Sequence, residues 1–243
     1  MKRHLGIFLR GMAMGAADLV PGVSGGTVAL ITGIYDDLLQ SISAVSLGLV
    51  DTWKNEGFQG VLRALNAPFL VALVAGIGTS IFALSGLLHH LLEHHKAALF
   101  AFFFGLVGAS IPLVGREITQ RTAPTAALFI AGAAITFGVG SLPPLQVEPS
   151  LAYLFACGAI AACAMILPGI SGSFILLLLG VYGAIIGALK ELDFVVIATV
   201  GAGAISGLLG FSKGLKSLLA KARNQVMAML TGLLLGSLQA LWP

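Results

Sequence analysis

Charge is what this 243-residue chain most lacks, with Asp, Glu, Lys and Arg making up only 9% of it. A soluble domain carries roughly 25%. That scarcity, with 58% hydrophobic residues and a mean hydropathy of +1.01, excludes a water-soluble globule and puts the chain in a membrane. The remaining charge is slightly basic, net +3, but the Lys and Arg residues lie between apolar runs and form no continuous basic face. Nucleic acid is therefore not expected as a partner. Cysteine is equally sparse. Cys157 and Cys163 stand six positions apart in an apolar run, about 240° around a helix, so they share no face and match no metal-ligand spacing. They read as small buried side chains, and neither a metal nor a cofactor is expected.

The chain is rich in glycine, 32 residues, and small residues let membrane helices approach backbone to backbone. Such faces would serve a homodimer as well as internal packing. Apolar segments lie near 5–20, 25–48, 67–89, 97–114, 124–141, 150–167, 173–189, 194–211 and 226–242, most of them long enough to cross a hydrocarbon core of about 30 Å. The first twenty residues, MKRHLGIFLRGMAMGAADLV, imitate a signal peptide. Arg10 interrupts the apolar run, however, and the segment is read as mature protein.

Two of these segments carry the same interruption. DLVPGVSGGTVALITGIYDDLL begins at Asp18, and ILPGISGSFILLLLGVYGAII begins at Ile166. Displaced by 147 positions, Pro21, Gly22, Ser24, Gly25, Gly33 and Tyr35 fall on Pro168, Gly169, Ser171, Gly172, Gly180 and Tyr182. Weaker matches continue, FLVALVAGIG at Phe69 with FVVIATVGAG at Phe194, and FFFGLVGASIP at Phe102 with LLLGSLQALWP at Leu233. The whole chain reads as one all-α polytopic membrane domain. Repeat 1 covers about 5–114 and repeat 2 about 150–243, each a broken or re-entrant helical hairpin plus two transmembrane helices, with a linker helix at 124–141.

Parity sets the relative orientation of the halves. A hairpin contributes an even number of crossings whether it dips or spans, so two spans plus one linker span make an odd total. The second half must then be inverted, the design of many secondary transporters, whose sites lie at the repeat interface. With the N-terminus cytoplasmic, eleven of the 13 Lys and Arg residues fall inside and only Lys96 and Lys190 outside, a strong positive-inside bias. The C-terminus, Pro243, is then external.

The chemistry sits at the breaks. Pro removes an amide donor and disfavours helix before it, and paired glycines permit a turn, so PGVSGG should end one helix and start another. Unwound backbone at membrane depth needs protein or a wet cavity around it. Ser24 is placed to cap the next helix, with Gly25, Gly26 and Thr27 offering first-turn amides, and Ser171, Gly172, Ser173 and Phe174 repeat the pattern. Two positive helix ends can converge on one anion. The plainer alternative is a pair of kinks that only let helices pack.

Gly-x-Ser-Gly also resembles the motif of rhomboid-type intramembrane proteases, but that chemistry needs a histidine close to the serine. His89, His90, His94 and His95 cluster instead at an expected outer mouth with Glu93, where metal binding or pH sensing stands against an ordinary polar loop. Asp18 and Arg10 are the ionisable residues expected within the membrane. The functional reading makes Arg10 an attractor of an anionic head group and Asp18 a proton-linked or gating acid. The alternative has Arg10 snorkelling to the interface and Asp18 capping turn amides. At the corresponding positions the second copy has Cys157 and Met165. Asp36 and Asp37 read as a solvated helix end or as a gate, and Tyr35 and Tyr182 as packing or binding residues.

ADLVPGVSGGTVALITGIYDDLL, LPGISGSFILLLLGVYGAII and FFFGLVGASIP resemble the bacterial polyprenyl-phosphate transporter family of the PopT type, over essentially the whole chain. The resemblance implies a non-enzymatic flippase of the bacterial cytoplasmic membrane that returns undecaprenyl phosphate, the lipid carrier of cell-wall synthesis, from the outer to the inner leaflet. It implies head-group contacts at Arg10, Asp18, Pro21, Gly22, Ser24, Gly25, Gly26, Thr27, Pro168, Gly169, Ser171, Gly172 and Ser173. Partners are then the polyprenyl phosphate and membrane lipid, with coupling to a proton or sodium gradient as the open element. An ion-coupled secondary transporter of a small soluble anion is the alternative. A membrane enzyme acting on lipid phosphate lacks a base, nucleophile or metal set.

Overall fold

A computed structural model describes residues 2–20, 22–46 and 48–242. Among them every regular element is helical. The chain enters through α1 (Lys2–Asp18), breaks, and resumes as the seven-residue α2 (Gly25–Ile31) and then α3 (Tyr35–Ser43). Next come α4 (Gly48–Ala64), α5 (Ala67–His94), α6 (Lys96–Gly115) and α7 (Ala123–Gly140). An extended segment leads to α8 (Leu151–Ile166), the seven-residue α9 (Gly172–Leu178), α10 (Tyr182–Glu191) and α11 (Phe194–Ser237), closed by a 3-10 turn at Leu238–Leu241.

Four helices are long and apolar enough to cross a membrane: α5, α6, α7, and α11 with its 3-10 extension. The pair α9 and α10, bent by 106°, would count as a fifth if it forms one broken span. Their starts follow local rules. Pro68 and Pro124 occupy first-turn positions, where a missing amide costs nothing. The Asp193 carboxylate accepts the amides of Val195 and Val196 at the head of α11.

The structure departs from the expected segments in three places. The run at 25–48 is two helices rather than one, separated at Gly33. The runs at 194–211 and 226–242 are joined, because helix persists through the charged stretch between them and breaks only at Ala222, whose φ and ψ are −143° and 49°. Lys and Arg are good helix formers, so charge alone did not end the element. A further helix, α4, bends at Gly57 and leaves Trp53 and Phe58 about two-thirds exposed among charged neighbours. Its pattern is that of a helix lying along a membrane surface.

Packing is set by glycine. A Cβ on Gly11 would strike the Leu73 carbonyl of α5, and one on Gly76 the Phe8 carbonyl of α1. On the other side of the molecule, Gly158 of α8 meets Val200 of α11, and Gly203 of α11 meets Phe155 of α8, in the same way. Contacts this close replace the hydrophobic drive that lipid cannot supply between helices. The main core gathers around the first break: Val20, Val23, Val28, Ile34 and Tyr35 pack with Ile166, Met227, Leu230, Leu233 and Leu241. The second break is flanked by two smaller clusters.

Candidate functional site

Both breaks are built by a left-handed glycine, Gly22 at φ +87° and Gly169 at φ +85°, a conformation that other residues adopt only under strain. Pro21 lies outside the described residues. The two turns meet. The Ser24 hydroxyl donates to the Leu167 carbonyl at 3.3 Å, and the Gly169 amide donates to Thr27 Oγ1 at 3.0 Å, although more than 140 positions separate the partners. A Cβ on Gly26 would reach the Ile166 and Met165 carbonyls at 2.7 and 2.9 Å, so Gly26 is what lets α2 lie against the end of α8.

Ser24 caps α2, its Oγ accepting the Gly26 amide at 3.1 Å. The Asp18 carboxylate accepts the Gly25 amide at 2.6 Å, a charge-assisted bond at a positive helix end. The second turn has the backbone and lacks these bonds. Ser171 stands at the cap position of α9 but accepts no amide, and its hydroxyl pairs with Ser173 at 2.9 Å instead. Met165 packs where Asp18 stands in the first copy, against Gly172 as Asp18 does against Gly25. The expected duplication of hydroxyl caps therefore holds for residue type and position, not for hydrogen bonding.

Between the turns lies a cavity of about 20 Å³, bounded by Gly22, Gly169, Ser171, Thr136 and Ser237, room for about one water molecule and not for a phosphate. The amides of Gly25, Gly26 and Gly169 already have partners within the protein. The turns are thus closed on each other. An anion can use the Gly169 amide only after the turns separate, and the Gly25 and Gly26 amides only by displacing Asp18 and Ser24 of the same segment.

Arg10 is not brought to this place. It lies on the exposed side of α1, eight residues before Asp18, about 12 Å along the helix. Arg223, just past the break in α11, lies at an ionic crossing that composition did not single out: it binds Asp36 of α3 at 3.1 Å and Glu117 after α6 at 2.8 Å. Asp36 is thus tied across the chain rather than merely solvated. The histidines divide into a His89–Glu93 contact at 3.2 Å and a stacked His90–His94 pair. Among the described residues no group of three or more His, Cys, Asp or Glu side chains could hold a metal. A different signal, a buried polar atom without a partner, marks Tyr35 Oη and Ser80 Oγ, which sequence periodicity treats as core positions.

Fold and site together define a multi-pass helical membrane protein whose broken helices meet at its centre. The chain belongs to the VCA0040-like, undecaprenyl phosphate translocase-like family, whose pattern matches residues 14–243. It is 47% identical over 240 residues to the polyprenyl-phosphate transporter of Vibrio cholerae, covering 99% of this chain and 78% of that one. It is 34% identical over 254 residues to the polyprenyl-phosphate transporter of Staphylococcus aureus, covering 97% and 85% respectively. No solved structure matches the chain. The family match begins after Arg10 and includes Asp18 and both turns.

Proposed function

We propose that this protein is a flippase that carries polyprenyl phosphate from the outer to the inner leaflet of a bacterial cytoplasmic membrane, holding the head group at the two Pro-Gly-x-Ser-Gly turns. The observation that carries this reading is the direct bonding of the two turns, Ser24 to Leu167 and Gly169 to Thr27. It makes one device of two remote segments, and the names of the relatives supply its cargo. An isoprenoid tail costs nothing to leave in lipid, whereas a phosphate cannot cross hydrocarbon without replacement hydrogen bonds. Turns that exchange their mutual bonds for bonds to phosphate would supply them.

The frame we propose is an inverted repeat, with a cytoplasmic N-terminus and an external C-terminus. Its support is positional. The pairs α2/α9 and α3/α10 begin at positions 147 apart, and the left-handed glycines Gly33 and Gly180 keep the same spacing. The α1–α5 and α8–α11 contacts recur with that spacing on one helix and a spacing of 127 on the other, Phe8–Gly76 matching Phe155–Gly203. This shifts the downstream alignment by two positions from the one suggested by Phe69 and Phe194. Rocking one half against the other would open the turns to each leaflet in turn, with Asp18 as the proton-linked acid.

The test is movement of labelled undecaprenyl phosphate in proteoliposomes containing the full chain. Protein-dependent loss of label from the outer leaflet, saturating with lipid, is expected. No movement and no saturable binding would sink the reading; movement of inorganic phosphate alone would favour a small-anion transporter, and release of phosphate from lipid an enzyme.

A further inference from the structure

We infer that the groove between α6, α7 and the part of α11 after Ala222 is a second docking site for the lipid, where the phosphate head of a polyprenyl phosphate rests on the Arg-rich side of the protein. The inference deepens the flippase reading and rests on it. The groove has a volume of about 930 Å³. Ile111, Phe129 and Ile130 form apolar wall, and Ile130 is 65% exposed, so the groove opens sideways to where lipid tails would lie. Arg116 and Arg121 stand where α6 gives way to α7, and no Asp or Glu lines the groove.

The charge pattern selects the occupant. Neither arginine makes an ion pair among the described residues, while the adjacent acid, Glu117, is engaged by Arg223 at 2.8 Å. Arg223 thereby gives Glu117 a partner other than Arg116 or Arg121, while also holding Asp36. Two uncompensated guanidiniums match a phosphate monoester, which carries about 1.5 to 2 negative charges at neutral pH, and guanidinium forks pair its oxygens two at a time. A phosphodiester lipid offers a single charge and fits a two-arginine site less well. The apolar trough then takes the first part of the tail. Within the transport cycle, the groove would receive the head group after the central turns release it.

Two measurements on the full chain test this. A diazirine-bearing polyprenyl phosphate should label the Phe129–Ile130 region of the unaltered protein, and unlabelled polyprenyl phosphate should compete about tenfold better than phosphatidylglycerol. Native mass spectrometry of Arg116→Gln/Arg121→Gln should show about tenfold weaker lipid retention at the same protein concentration. Labelling confined to the central turns, equal competition by phosphatidylglycerol, label only at a contact between two copies of the chain, or unchanged retention in the double variant would each overturn the groove while leaving transport intact. If the wild-type chain neither binds nor moves polyprenyl phosphate, the flippase reading fails and the groove proposal fails with it.

Discussion

At the scale of the residue, the two turns are a controlled comparison within one chain. Gly22 and Gly169 adopt the same backbone, yet a carboxylate accepts an amide beside one and a methionine packs beside the other. Asp18 is therefore not needed to form this turn. Asp18→Asn keeps an acceptor for the Gly25 amide and removes the charge, so the fold should persist while the pH dependence of transport flattens. A pH–rate profile in proteoliposomes identical to wild type would remove the coupling role. The serines should differ as well. Ser24→Ala loses a buried cap and a partly buried bond to the second turn, and should cost about 1–2 kcal/mol. Ser171→Ala loses only its contact with Ser173 and should cost less than about 1 kcal/mol. Thermal unfolding in detergent reads both, and equal losses would contradict the hydrogen bonding described. Tyr35 Oη and Ser80 Oγ, buried without partners, carry a cost of about 1–3 kcal/mol each that any arrangement admitting water to them would recover.

At the scale of the element, helix–helix distance is decided by single glycines. A Cβ on Gly76 collides with the Phe8 backbone, whereas one on Gly78, two residues on, meets nothing within 4 Å. Gly76→Leu should destabilise by about 1–3 kcal/mol or more, and Gly78→Leu should stay within about 0.5 kcal/mol. Thermal melts of the two variants check this, and equal sensitivity would mean that α1 and α5 are not locked there. Neighbouring glycines in one apolar run look alike in a sequence, because only a partner helix tells them apart. Most spans were legible from apolar length, and both breaks from Pro-Gly-x-Ser-Gly. What was not legible has a local cause in each case. The charged stretch before Arg223 reads as a loop between spans, but its lysines suit helix and only Ala222 leaves it. Helix α4 mixes charge with Trp53 and Phe58 and falls below any span criterion.

At the scale of the whole molecule, the chain closes around its first break. That turn lies in the main core, with the Leu238–Leu241 segment against Gly22, while the second turn lies between that core, through Leu167 and Ile170, and a smaller cluster. Arg223 draws Asp36 and the start of the α6–α7 connection together. Exposed pairs of this kind are worth about 0–1 kcal/mol each, so their importance lies in which segments they join rather than in stability. The candidate site follows the same division. The sequence by itself determined that the chain belongs in a membrane and that its helices break at two Pro-Gly turns, because these depend on composition and on the local conformational limits of Pro and Gly. Only the tertiary structure decided that the turn amides already have partners within the protein, that Arg10 stands apart from them, and that Arg116 and Arg121 share a groove with no acid in it. Each of those facts is a distance between segments that no local pattern encodes, and in a chain packed by glycine such distances depend on which small residue happens to face a neighbouring backbone.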